Sequence, residues 1–210
     1  MKIEYLGHSC FVLASKDGKK IMTDPYTQVG YELPAILAVD TITISHRHFD
    51  HNYTKAVACN KMIDGAGNQT SDIYGIECYH DPEQGRLRGK NIIYKINIDG
   101  IVVCHLGDLG EEYSSTLLDK IGNVDVLLIP VGGRYTIDAV QAKEYVDKIN
   151  PKTVIPMHYK PSDGILDIDG IDRFLSLFDS ADIETVESGE TEFCLEKPRK
   201  RVIYMERVRK

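Results

Sequence analysis

Residues 46–51 read His46-Arg47-His48-Phe49-Asp50-His51, three imidazoles and a carboxylate in six positions. Neutral imidazole nitrogens and carboxylate oxygens are the donors that borderline divalent ions such as zinc take. If the backbone is extended, His46 and His48 project to one side and address one ion. Asp50 and His51 come after the chain turns and can serve a second. The competing reading is a polar loop whose histidines cluster by chance, but buried histidines usually occur singly and with a partner. His80, Asp108 and His158 each follow a strand-like apolar run. Polar donors recurring where strands exit into loops are the layout expected of a site on the rim of a rigid scaffold.

The elements that would carry these groups change character along the chain. Lys2–Leu6, Cys10–Ser15 and Lys20–Thr23 read as strands, the last two joined by the turn Lys16-Asp17-Gly18-Lys19. Asp24-Pro25-Tyr26 opens a long loop, and Thr41–Ser45 is a short strand running into the histidines. Ile73–Tyr79, Asn91–Ile98 and Ile101–Leu106 follow, with Asp99-Gly100 as a hairpin turn. The second half alternates helix and strand: helices over Ser114–Ile121, Ile137–Asn150 and Ile171–Phe178, strands over Val124–Ile129, Thr153–Met157, Ile183–Val186 and Glu192–Leu195. Thr136 is positioned to cap the middle helix, with Asp138 in its first turn. A strand-rich start followed by strand–helix units predicts two packed sheets with helices outside.

His-x-His-x-Asp-His, then a distant His, a Gly-Asp and a late His, resembles the metallo-β-lactamase fold superfamily, and more narrowly its small lactonase-like branch, related to ascorbate-6-phosphate lactonase. The resembling segments are Tyr5-Leu6-Gly7-His8-Ser9-Cys10-Phe11, Thr23-Asp24-Pro25, Ser45–Asn52, Cys78-Tyr79-His80-Asp81, His105–Gly110, Pro130-Val131-Gly132-Gly133 and Ile155–Tyr159. The resemblance implies an α/β fold, a four-layer αββα sandwich of two mixed β-sheets with outer helices, as a single domain over 1–210. It implies a dinuclear site, with His46, His48 and His80 on one ion, Asp50, His51 and His158 on the other, and Asp108 bridging. The chain departs from the family pattern at Asn52, where a glycine commonly follows the last histidine, and at Arg47, a bulky cation between the first two.

Such a site implies a metal-dependent hydrolase in which a hydroxide held by two ions about 3.5–4 Å apart attacks a carbonyl carbon or a phosphorus. Asp50 would orient that hydroxide and take its proton. Zinc is the expected ion, with manganese, nickel or iron as alternatives that the donors also accept. His8, His105 and Asp24 are candidates to hold the ligating imidazoles, although His105 reads equally as a core residue of its strand and His8 as a turn residue within reach of substrate. Arg86 and Arg88, in the basic stretch Gly85–Lys90, together with Lys160 and Arg134, could bind an anionic group on the substrate. Gly132-Gly133, ahead of a helix, offer an anion site. A solvated hairpin loop is the plain alternative.

Composition narrows the function classes. The 210 residues carry a formal net charge of -7, which disfavours general nucleic-acid binding. No apolar run approaches the roughly 20 residues of a membrane span, and the polar N-terminus is no signal peptide, so a cytoplasmic protein is expected. The five cysteines are scattered and read as free thiols. Residues 197–210 hold seven Lys or Arg against one acid, read as a final edge strand, Arg201–Val208, guarded by charge. The leading reading is hydrolysis of an ester, lactone or phosphoester of a small, anionic metabolite. A phosphodiesterase or nuclease on the same fold, a redox di-iron protein and a non-catalytic metal-binding regulator are the alternatives. Homo-oligomerisation is left open.

Overall fold

A computed structural model describes residues 1–35, 38–192 and 201–208. Its strands form two mixed sheets. One contains β1 (Lys2–Gly7), β2 (Cys10–Ala14), β3 (Lys20–Thr23), β4 (Ala38–Thr43) and β5 (Ala58–Ile63) in chain order. The other contains β6 (Gly67–Asn68), β7 (Ile73–Tyr79), β8 (Lys90–Ile98), β9 (Ile101–His105), β10 (Val126–Pro130) and β11 (Thr153–Met157). β12 (Ile183–Val186) joins the second sheet, β13 (Glu190–Glu192) crosses to pair with β1, and β14 (Val202–Met205) returns to the second sheet. Glu190–Glu192 realises only the start of the expected strand Glu192–Leu195, the rest of which lies outside the described residues, as does Cys194.

Strand alternation explains how one apolar run serves two faces. In β2, Phe11 and Leu13 join the core between the sheets, packing with Ile73, Ile76 and Ile96 of the second sheet, while Cys10 and Val12 face the other way. That outer face is covered by Tyr26, Val29 and Val57. The second sheet is flanked by α1 (Ser115–Ile121) and α2 (Ala139–Ile149), with the short α3 (Asp172–Leu175) against α2. Ser114 caps α1, accepting from Leu117 N. Among the described residues, no helix is long and apolar enough to cross a membrane. Cys10, Cys59, Cys78 and Cys104 are free thiols.

Three expectations are corrected. The final strand is not an edge: β14 lies between β11 and β12, parallel to both, and Val202 and Ile203 are fully buried. Of the basic residues assigned to that segment, Lys197, Arg199, Lys200, Arg209 and Lys210 lie outside the described residues. The cap of α2 is Asp138, whose carboxylate accepts from Val140 N and Gln141 N while Gln141 returns a bond to the Asp138 backbone. Thr136 instead donates to the Ile137 carbonyl. The Gly132-Gly133 anion site falls with it, because α2 begins at Ala139 and its free N–H groups already have an acid.

Candidate metal centre

The parallel pairing of β3 with β4 and of β9 with β10 and β11 brings their C-terminal ends to one rim, and β7 runs in the same sense as β9 through its antiparallel neighbour β8. His46 follows β4, His80 follows β7, Asp108 follows β9 and His158 follows β11. The turn from β1 to β2 brings His8 to the same rim. His8 and His158 both sit at positive φ, 53° and 51°, and His158 N donates to the His8 carbonyl at 2.9 Å across the sheets. Gly107 is required by space as well as by its φ of 55°: a Cβ there would overlap Asn91 Oδ1 and Ser45. Gly110 has a different reason, since a Cβ would strike the His80 carbonyl.

The side chains converge. Ligand-type atoms of His46, His48 and His80 lie within 4.8 Å of one another, and so do those of His8, Asp50, His51 and His158. Asp108 stands between the groups. Its Oδ2 is 3.3 Å from His80 Nε2 and 3.2 Å from His158 Nε2, and its Oδ1 is 3.1 Å from His51 Nε2. His46 Nε2 and His158 Nδ1 are buried and find no hydrogen-bond partner among the described residues. Orphaned buried polar atoms are rare, and a gathering of imidazoles and carboxylates with free lone pairs suits divalent ions. His8 joins the second group directly, its Nε2 3.2 Å from Asp50 Oδ2 and 3.3 Å from His51 Nε2.

Surrounding groups fix the imidazoles. Asp24 Oδ2 is 2.9 Å from His51 Nδ1, and Asp24 in turn accepts from Ser45 N at 2.8 Å and Ser45 Oγ at 2.6 Å. Ser45 Oγ also lies 3.0 Å from His46 Nδ1, and the Tyr135 carbonyl is 3.1 Å from His80 Nδ1. Asn91 Oδ1 accepts from Asp108 N at 2.9 Å. His105 takes the core role: it is buried in β9 with Nε2 2.9 Å from the Ser9 carbonyl, tying the sheets together. Asn91 and Tyr135 carry no motif signal in the sequence; only Ser45, directly before His46, lies inside a recognised motif.

Charge divides the cluster. Burial pushes His46 well below its usual range, with the neighbouring His51 adding to the effect, and burial then His80 lowers His48. Burial, then His158, lowers His8 to about 4. His51 goes the other way: burial opposes its proton, but Asp108, Asp24 and Asp50 together raise it well above the usual imidazole range. Burial alone would raise the carboxyls, yet the surrounding imidazoles hold Asp108, Asp50 and Asp24 below their ordinary values. Three ionised carboxylates and neutral His8, His46 and His48 make a cation-seeking cavity.

A pocket of about 360 Å³ opens on the centre, lined by His48, Phe49, Asp50, His80, Asp108 and His158 together with Arg88, Tyr135 and Leu166. Of the residues expected to contact substrate, His8 lies at the centre and Arg88 in the pocket wall. Arg86 is exposed and turned onto Glu83 of its own loop at 2.5 Å. Lys160 lines a separate cavity of about 300 Å³ with Tyr5, Tyr31 and Tyr159, because the chain has passed the rim by the time it leaves His158. Arg134 pairs with Asp167 at 2.7 Å. Arg47 points outward to Asp64 and leaves the centre clear.

This sandwich, with its donors gathered at one rim, defines the class. Residues 2–158 match the family model of the β-lactamase superfamily domain. A UPF0173 protein of Pyrococcus furiosus is 33% identical over 181 residues, covering 76% of this chain and 83% of that protein. A UPF0173 metal-dependent hydrolase of Methanospirillum hungatei is 28% identical over 192 residues, covering 79% and 85%. The crystal structure of a Thermotoga maritima chain, provisionally described as a zinc-dependent hydrolase of the metallo-β-lactamase superfamily, superposes with a TM-score of 0.81 at 39% identity, covering 97% of each chain. The chain belongs to the UPF0173 metal-dependent hydrolase family of the metallo-β-lactamase superfamily.

Proposed function

We propose that this chain is a cytoplasmic hydrolase that cleaves an ester, lactone or phosphoester bond of a small, anionic metabolite, using two divalent ions, zinc first among them. The observation that carries the reading is the pair of donor groups on either side of the buried Asp108 carboxylate, both reaching one pocket. His46, His48 and His80 would hold one ion, Asp50, His51 and His158 the other, and Asp108 has an oxygen for each. Ions so held supply Lewis acidity and a water acidic enough to act as hydroxide at neutral pH.

The chain's own groups do the rest. Asp24 and Ser45 hold His51 and His46 so that their Nε2 atoms face the centre. Asp50, ionised and partly open to the pocket, accepts the proton of an attacking water at Oδ2, and His8 Nε2 at 3.2 Å keeps that oxygen in place. Phe49 and Leu166 line the pocket with apolar surface. The formal charge of -7 counts against a nuclease. The test is hydrolysis of a panel of lactones, phosphomonoesters and cyclic phosphodiesters by chelator-treated and reconstituted protein, with Asp50→Ala as the variant. Full turnover by Asp50→Ala carrying both ions would remove Asp50 from the chemistry, and no metal-dependent turnover on any of the three classes would sink the reading.

A further inference from the structure

We infer that Arg88 is the substrate's anion anchor, so that the pocket selects amphipathic substrates carrying a carboxylate or phosphate beside an apolar body; this rests on the hydrolase reading above. The argument starts at Asp81, directly after His80. Its carboxylate is fully buried and accepts four backbone N–H groups, from Glu83 at 2.9 Å, Gly85 at 3.1 Å, Leu87 at 3.1 Å and Arg88 at 2.7 Å. Bonds to a charged acceptor are the strong ones. The loop is closed again by Gly89 N on the Gly85 carbonyl and His80 N on the Gly89 carbonyl, at 2.9 and 3.1 Å. A loop wound around one carboxylate thus gives the Arg88 backbone a fixed place beside a metal-ligand histidine.

The guanidinium is then available. It lies 5.5 Å from the centre of the Tyr135 ring, half-buried in the pocket wall. Among the described residues it pairs with no carboxylate, whereas Arg86 is taken by Glu83 and Arg134 by Asp167. A stacked guanidinium offers a planar fork that fits carboxylate or phosphate. Phe49, 51% exposed, and Leu166 supply apolar wall in the same pocket, and apolar walls with one placed charge are the usual form of a small-molecule site.

The test uses zinc-loaded protein, as wild type and as Arg88→Gln and Arg88→Lys. The backbone N–H that Asp81 holds survives both substitutions. Binding of 4-phenylbutyrate, the non-hydrolysable 3-phenylpropylphosphonate and the neutral 4-phenylbutanamide is measured by calorimetry. Arg88→Gln is expected to weaken at least one of the two anions about tenfold or more relative to the amide, with Arg88→Lys between. Whichever anion responds names the group read. Equal affinity of wild type and Arg88→Gln for both anions overturns the assignment. Turnover of 4-nitrophenyl butyrate and mono-4-nitrophenyl glutarate is followed in parallel. Metal-dependent turnover with no Arg88 effect rejects the anchor and keeps the hydrolase; an Arg88 effect on binding with no turnover of these esters or of the lactone and phosphoester panel does the reverse.

Discussion

His51 Nδ1 lies 2.9 Å from Asp24 Oδ2, with both side chains fully buried. The Asp24 carboxylate is itself fixed by the amide and hydroxyl of Ser45, the residue before His46. One acid therefore orients an imidazole from each donor group, one directly and one through Ser45. Partners of this kind set the tautomer and direction of a ligating histidine, and their loss typically costs 10- to 100-fold in metal affinity.

Asp24→Asn is accordingly expected to weaken metal binding by about 10- to 100-fold while the fold is kept. Competition titration against a chelator of known affinity checks this. An unchanged affinity would reduce Asp24 to a packing residue.

Metal uptake should expel a proton. Asp108, Asp24 and Asp50 overcome burial and raise His51 well above the usual imidazole range, but only the neutral ring ligates. Because the pKa is raised, the proton is present below it and leaves as pH rises through it, so apparent affinity climbs with pH across neutrality. One released proton corresponds to about tenfold per pH unit. Calorimetry in buffers of differing ionisation enthalpy counts the protons, and a count of zero at pH 7 contradicts the charge pattern.

The thiols should divide by burial. Burial raises Cys10 and Cys78 far above the usual thiol range and Cys104 to about 12, while Cys59 is half-buried on β5. At pH 8 a thiol reagent is expected to label Cys59 in the native protein and to reach the other three only after unfolding. Peptide mapping of these four sites reads the result.

Gly107 tests the packing of the rim. Gly107→Ala drives a Cβ into Asn91 Oδ1 and Ser45 at a positive φ, and overpacking of this kind costs about 1–3 kcal/mol. Denaturant unfolding of the metal-free protein measures it without a contribution from bound ions. An unchanged midpoint would mean that the turn relaxes freely.

Much of this was legible beforehand because period-2 apolar runs and turn residues report strands, and donors at strand ends report a rim. The place of the last strand was not: Val202–Met205 inserts in parallel between Ile183–Val186 and the far earlier Thr153–Met157, which no local pattern encodes. Asp138 and Thr136 are both cap-type residues, and Gln141, three positions after Asp138, was the signal that decides between them. Ser45, Asn91 and Tyr135 act through single hydrogen bonds with no recurrent spacing. Arg88 and Arg86 look alike in sequence, and only the winding of the loop around Asp81 separates the one in the pocket from the one outside it.

The most direct measurement is the metal content per chain after chelator stripping, reloading with zinc and removal of excess, for wild type beside Asp108→Ala, His80→Ala and His158→Ala. The account predicts two ions per wild-type chain, about one in each histidine variant and a loss of both in Asp108→Ala. Retention of no ion by wild type, or the same content in all four proteins, would contradict it.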